Sequence, residues 1–494
     1  MGADGATNST VYTIEQTHQF PNASTTAANN VVATVILFDN HTDYAGQRVL
    51  SELIDVDGIP VVFDGVNNTI TENEDNRIAS ISLGTINPGS TKTITVTTTV
   101  MVTQVGPIDK SEVQGSIPDN MVEYTQPVPY LWESDDPAIM AKASELITGE
   151  LNIYYKAKAV FEFVENYLTY QPFDEEHSAL WAYNNRVGDC SEFTHLFSAL
   201  CRAAGIPTKF VSAYGYNPQV GGDLRAQGHA FAFIFLPGVE WTPMDLTWEY
   251  PQGEFAMLNK DHIITFTSYG SNLVRNGEIH IPPSCRVNYS YSGENPNIVP
   301  VSTGELVRET EVKPELSTAA LIEDNIWEFY VTVTNTGVQP MTNINVELVA
   351  DETYFEVPGT QSINSLEPGH NQPLTFDVMV KESVMNSTVT ARASYDCVYG
   401  AFFDEGQTTV SATLPTETET TTTPTQTGTT TSPTQTGTTT TPTTTSTTTT
   451  TTSPTTTTTS PTPTEGLPDY LMLLIIVIVI VGVVAGVVVT RLRR

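Results

Sequence analysis

Residues 471–489 read LMLLIIVIVIVGVVAGVVV, nineteen apolar positions without a charge. At about 1.5 Å rise per residue, a helix of that length crosses about 30 Å of hydrocarbon. Arg491, Arg493 and Arg494 follow at once, and Glu465 and Asp469 precede it. The excess of basic residues on the C-terminal side predicts a single span, with a short cytoplasmic tail and everything earlier outside the membrane. Residues 415–464 are almost entirely Thr and Pro with some Ser, Gln and Gly, a composition that cannot build a core. Fully extended, those fifty or so residues would reach about 150 Å. They read as a stalk or as a plain flexible linker, and composition does not separate the two.

What remains, some 410 residues, is too long for one core. Residues 30–38 (NVVATVILF) form an apolar run, 77–83 (RIASISL) alternate, and 91–102 (TKTITVTTTVMV) alternate again after an Asn87-Pro88-Gly89 turn. Short β-branched runs between such turns predict a β-sandwich. The middle region begins with helical spacing at Ala157, Val160, Phe161, Val164 and Leu168, then a helix over 191–204 stopped by Gly205 and Pro207. Strands follow at 209–216, 229–236 and 241–245, an α+β order. Residues 327–334 (WEFYVTVT), 344–348, 374–380 and 387–395 predict a second sandwich. The resulting division is an N-terminal sandwich (1–118), a middle α+β domain (119–300), a second sandwich (301–413), the Thr/Pro-rich segment (414–466) and the span with its basic tail (467–494).

The net charge is −35, from 21 Lys and Arg against 56 Asp and Glu. Such a surface repels phosphates, so nucleic acid is excluded as a partner. The sequence at 1–4 (MGAD) is not the basic, apolar start of a signal peptide, so a secretory leader is expected upstream of this start. Six Asn-x-Ser/Thr sequons, at Asn8, Asn22, Asn40, Asn67, Asn288 and Asn386, fit a glycosylated exterior. Four cysteines, Cys190, Cys201, Cys285 and Cys397, form no disulfide framework and no zinc spacing. A Cys285–Cys397 bridge would join two of the predicted domains. The acidic turns at Glu72, Glu74 and Asp75 and at Asp351-Glu352 lack the spacing of a calcium loop, and no phosphate loop or dinucleotide fingerprint occurs. Cofactors and metals are therefore not expected.

The chemistry concentrates at 188–207, GDCSEFTHLFSALCRAAGIP. Phe193, Leu196, Phe197, Leu200, Cys201 and Ala204 make a helix stripe, and Cys190 falls on that face, where a lone cysteine reads as core. Its place at the helix start argues otherwise, because unpaired N–H groups and the helix dipole favour a thiolate there. His229 begins a strand and shares an alternating face with Phe231, Phe233 and Phe235; a histidine at the end of that aromatic face would dock beside the helix carrying Cys190. Asp245 ends the strand after Trp241. Thiol, imidazole and carboxylate in that order supply a nucleophile, its base and the base's orienter. Glu192 and His195, three residues apart on the helix, offer a weaker metal pair that faces solvent or a neighbour.

These stretches resemble the transglutaminase-like cysteine superfamily in its prokaryotic, membrane-anchored surface form. The matching text is NRVGDCSEFTHLFSALCRAAGIPTKFVSAYGY followed by GHAFAFIFLPGVEWTPMDLTW. It carries a Gly-x-Cys (Gly188, Cys190), the turn from Arg202 to Pro207, a His-Ala (His229, Ala230) and a Trp-x-x-x-Asp (Trp241, Asp245). The resemblance covers roughly residues 125–255 and implies a papain-like α+β core with Cys190 as nucleophile, His229 as base and Asp245 as orienter. One departure is Phe233, which stands where the family often has an acid. The implied function is thiol acyl transfer on a protein or peptide, either crosslinking or hydrolysis. The alternative is a non-catalytic surface scaffold that binds peptide or glycan with the same fold.

Overall fold

The computed structural model describes residues 6–414, apart from 43–44, 74–75, 250–251, 276–277, 280–286, 293–296 and 324. The predicted stalk and span, and Cys285 with its possible bridge, lie outside the described residues. Among those residues no helix is long and apolar enough to cross a membrane.

Two antiparallel sheets make the first sandwich. One runs in the order Val301–Arg308, Ser9–Pro21, Thr91–Thr103, Gln47–Val56, Ile59–Pro60, and the other Val287–Ser292, Ala28–Leu37, Asn76–Ile86, Thr69–Asn73. Inward residues alternate along each strand, so Val31, Ala33, Val35 and Leu37 meet Ile94, Val96 and Ile54 in one core. The sequence division placed 287–300 in the middle domain and 301–308 in the second sandwich. The sheets correct this: Val287–Ser292 pairs with Ala28–Leu37, and Val301–Arg308 pairs with Ser9–Pro21. Such pairing spans more than 250 residues, and strand periodicity does not reveal which sheet a strand will join.

The middle domain places helices α1 (Pro137–Leu146), α2 (Ile153–Tyr167), α3 (Ala179–Asn185) and α4 (Cys190–Ala203) against a five-stranded antiparallel sheet. That sheet runs Gln252–Phe255, Glu240–Glu249, Gly228–Leu236, Thr208–Gly215, His262–Ser268. Helix α4 is buried on nearly all sides, and Phe193, Leu196, Phe197 and Leu200 pack on Ala230, Ala232, Ile234, Met244 and Leu246. The sheet's other face, with Val211, Ala213, Phe231, Phe233 and Ile264, packs with Ala45 and Leu258. The strand His262–Ser268 is an edge, and side-chain amides of the first sandwich cap it. Gln47 exchanges two hydrogen bonds with Ile264 (3.0 and 2.7 Å) and Asn76 two with Thr267 (2.8 Å each). Each amide satisfies one donor and one acceptor that a neighbouring strand would otherwise take.

The second sandwich pairs Val312–Glu323, Ile326–Asn335, Asn371–Val380, Phe355–Glu356 in one sheet and Gln361–Leu366, Met341–Val349, Val384–Cys397, Gly400–Ala412 in the other. Phe329, Val331, Val333, Val346, Phe376 and Tyr395 fill it.

Candidate active site

Helix α4 begins where the sequence demands it. Asp189 is the N-cap, its carboxylate accepts from Ser191 N–H (2.9 Å), and Glu192 reaches back to Asp189 N–H (2.9 Å) in a capping box. A Cβ on Gly188 would lie 2.4 Å from the Glu192 Cβ, so only glycine fits there. The helix ends on Gly205, whose φ of +77° is left-handed. Gly205 N–H bonds Arg202 O (2.9 Å) and Ile206 N–H bonds Cys201 O (2.8 Å), a Schellman closure. Cys190 is thereby held at the first helical position, half-buried, while Cys201 is fully buried and burial pushes its thiol well up. Only one of the two thiols on this helix is both accessible and at the positive end of the dipole.

His229, the second residue of the strand Gly228–Leu236, lies within interaction range of the Cys190 thiol. Its Nε2 lies 2.5 Å from Asp245 Oδ2, which leaves Nδ1 as the nitrogen for the thiol. Asp245 is fully buried. The register of Glu240–Glu249 breaks just after it, and the freed N–H groups of Thr247 (2.9 Å) and Trp248 (3.2 Å) turn onto Oδ1. Burial opposes both charges. The Asp245 charge and hydrogen bond, with those of Cys190, outweigh it and raise His229 from 6.5 to about 10. The His229 charge, and hydrogen bonds from both His229 and His262, outweigh burial at Asp245 and hold it far below the usual carboxylate range.

Strand alternation predicts His229 at the end of the Phe231–Phe233 face, beside α4. The body of the helix packs on the intervening residues Ala230, Ala232 and Ile234, because alanine admits a close helix and phenylalanine does not. His229 meets Cys190 from the first residues of its strand, where the helix N-terminus comes to the sheet's end. Phe233, which stands in place of an acid, is an apolar core residue beside Phe231. Trp241 packs far along the strand against Phe235 and Tyr124, with Lys209 Nζ 4.4 Å from its ring centre.

Glu192 and His195 face neighbouring residues rather than solvent. Both are buried: Glu192 accepts from the N–H groups of Asp189 and His177, and His195 Nδ1 accepts from Trp132 Nε1–H (3.0 Å). Burial raises the Glu192 carboxyl.

Three neighbours of the dyad carried no sequence signal. His262, fully buried, places Nε2 2.9 Å from Asp245 Oδ2 and Nδ1 2.9 Å from Asn259 Oδ1. Asn259 is oriented by Asp261 N–H on its oxygen and Glu254 on its nitrogen, so both ring nitrogens of His262 face acceptors. Trp248 lies against both imidazoles, with ring centres 5.2 Å from His229 and 4.4 Å from His262. Gly215 is the cavity for that indole, since a Cβ there would sit 2.3 Å from it. Tyr170 flanks the thiol; burial first, then the charges of Cys190 and its acidic neighbours, raise its phenol to about 12. Both strand neighbours and loop distance hide such residues from a linear reading.

His229, Asp245 and His262 also form a cluster of metal-ligating types. The spacing argues for hydrogen bonding instead. Ligand atoms on a shared ion at about 2.0–2.2 Å sit about 3 Å or more apart, wider than the 2.5 Å between Nε2 and Oδ2. A cavity of about 570 Å³ lined by Val113, Leu151, Lys156, Ile206 and Pro237 opens at the opposite end of α4, roughly 20 Å of helix from Cys190.

An α+β domain that sets a helix-start thiol against an imidazole and a carboxylate defines a class of thiol-dependent enzyme folds. Residues 141–246 match the model of the transglutaminase-like superfamily, so this chain carries a transglutaminase-like domain, and residues 310–397 match the CARDB model. Among solved structures, a proposed cysteine protease from Cytophaga hutchinsonii is similar at 16 % identity and TM-score 0.40, covering 61 % of this chain and 98 % of that one. Red sea bream transglutaminase is similar at 11 % identity and TM-score 0.21, covering 77 % and 80 %. A proposed protease from Parabacteroides distasonis is similar at 12 % identity and TM-score 0.23, covering 74 % and 68 %. No curated protein matches the sequence.

Proposed function

We propose that this protein is a cell-surface thiol acyl-transfer enzyme acting on protein or peptide carboxamides, anchored by residues 471–489. Cys190 attacks the carbonyl, His229 takes and returns the proton, and Asp245 holds the imidazole. The observation that carries this reading is the row Cys190–His229–Asp245, with His229 raised to about 10. An imidazolium that persists at neutral pH is the partner a thiolate needs. The backbone N–H of Cys190, at the start of α4, is positioned as one donor to the developing oxyanion. The thioester then passes its acyl group to water, giving hydrolysis, or to a lysine amine, giving a crosslink.

The test is iodoacetamide labelling of the folded full-length chain from pH 4 to 9, compared with His229→Ala. Rapid alkylation of Cys190 well below pH 8, slowed in the variant, supports the reading. Slow alkylation unaffected by the variant sinks it. Turnover of glutamine-containing peptides, with and without an added amine, then separates crosslinking from hydrolysis.

A further inference from the structure

A second buried acid-base pair lies away from the thiol, where three domains meet. Lys260, in the loop before the strand His262–Ser268, reaches into the second sandwich and makes an ion pair with Asp404 on the strand Gly400–Ala412. The two side chains are only 16 % and 4 % exposed. The two oxygens of Asp404 are treated very differently. Oδ2 accepts from Val312 N–H (2.8 Å) and from the Tyr395 hydroxyl (2.8 Å). Among the described residues Oδ1 takes no hydrogen bond from any other group and faces the Lys260 amine. Arg308 and Glu311 (2.5 Å apart) and Asp261 complete the surroundings.

We propose that Lys260 and Asp404 are joined by an intramolecular isopeptide bond that the folded chain forms by itself. The arrangement supplies each requirement of amide formation. Burial lowers Lys260 to about 8 against the pull of Glu311 and Asp261, so the neutral amine is accessible. Two donors on Oδ2 polarise the Cγ–Oδ2 bond and are placed for the oxyanion of a tetrahedral intermediate. Burial keeps the Tyr395 phenol protonated, and hence a donor, far above neutral pH. Oδ1, which faces the Lys260 amine and takes no other donor among the described residues, is the leaving oxygen. In the step, a proton moves from the Lys260 ammonium towards the carboxyl, and the free amine attacks Cγ. The amine then gives up a second proton to Oδ1, and the C–Oδ1 bond breaks. Ammonium and carboxylate become amide and water, so charge and atoms balance without a co-reactant. The product ties the middle domain to the second sandwich through a bond that neither acid nor salt dissociates.

The bond is read by mass. Full-length chain from a host that does not glycosylate is denatured, digested and sequenced by tandem mass spectrometry. A branched peptide that joins the segments around Lys260 and Asp404, one water lighter than their sum, is the expected product. It should persist in Cys190→Ser, which separates this bond from the proposed thiol chemistry, and vanish in Lys260→Arg, which keeps the cation. Tyr395→Phe should slow its appearance after refolding about tenfold. Finding only linear peptides for both segments in folded wild-type protein would overturn the proposal. Loss of the branched peptide in Cys190→Ser would overturn its self-formation.

Discussion

Two buried charge clusters share one four-residue loop, and they treat an aspartate in opposite ways. Asn259 and His262 turn towards Asp245, whereas Lys260 and Asp261 turn towards the domain junction. Asp245 receives five donors: the N–H groups of Thr247 and Trp248 and the Thr247 hydroxyl (3.5 Å) on Oδ1, and two imidazoles on Oδ2. Its acceptor capacity is filled, so it stays an anion and orients its neighbours. Asp404 receives two donors on one oxygen and an amine on the other, an arrangement that polarises the carbonyl and leaves one oxygen free to depart. A buried carboxylate thus becomes an orienter or a reactant according to how its lone pairs are shared out.

The largest test removes the saturated acid. Asp245→Ala strips two imidazoles of their common acceptor and should lower any turnover at Cys190 by about 10⁴-fold, measured on a peptide amide. His229→Ala should slow Cys190 alkylation at pH 6 by about a hundredfold. His262 sharpens the comparison. His262→Ala removes one of the five donors to a buried charge, which costs about 1.5–3 kcal/mol and should cut turnover tenfold or more. His262→Gln retains a donor and should recover most of it. Recovery separates orientation of Asp245 from simple packing.

pH separates the clusters further. His229 is raised from 6.5 to about 10, so its contribution to stability is complete below 6.5 and is lost as pH rises through 10. Asp245 is depressed, so its contribution holds above the usual carboxylate range and fails only at strongly acid pH. An unlinked Lys260, lowered to about 8, would add stability as pH rises from 8 towards 10.5. A linked Lys260 does not titrate. Thermal unfolding of the wild type should therefore fall from pH 7 to 10 without the compensating rise that an unlinked lysine would give. The smallest effect belongs to the domain seam. Gln47→Ala leaves the Ile264 N–H and C=O unpaired and should destabilise by about 1–3 kcal/mol, measured by denaturant unfolding.

Local chemistry was legible in the chain. Asp189, Glu192, Gly205 and Pro207 fix where α4 starts and stops, because caps and breakers act on residues three or four positions away. Alternation located seven strands of the two sandwiches, with ends off by up to three residues, and missed others as long as Ser9–Pro21 and Gly400–Ala412. The trio Cys190, His229 and Asp245 could be nominated because each residue type sits at an element boundary that suits its role. Their hydrogen-bonded order, the support of His262, and the pairing of 287–308 with the first sandwich could not. Those depend on strands and loops brought together across tens to hundreds of residues, and no periodicity encodes a partner at that distance. The same reason hid Lys260 and Asp404. A lysine and an aspartate 144 positions apart are ordinary in any sequence. Only the folded chain buries them together, and burial is what turns two common charges into a reactive pair.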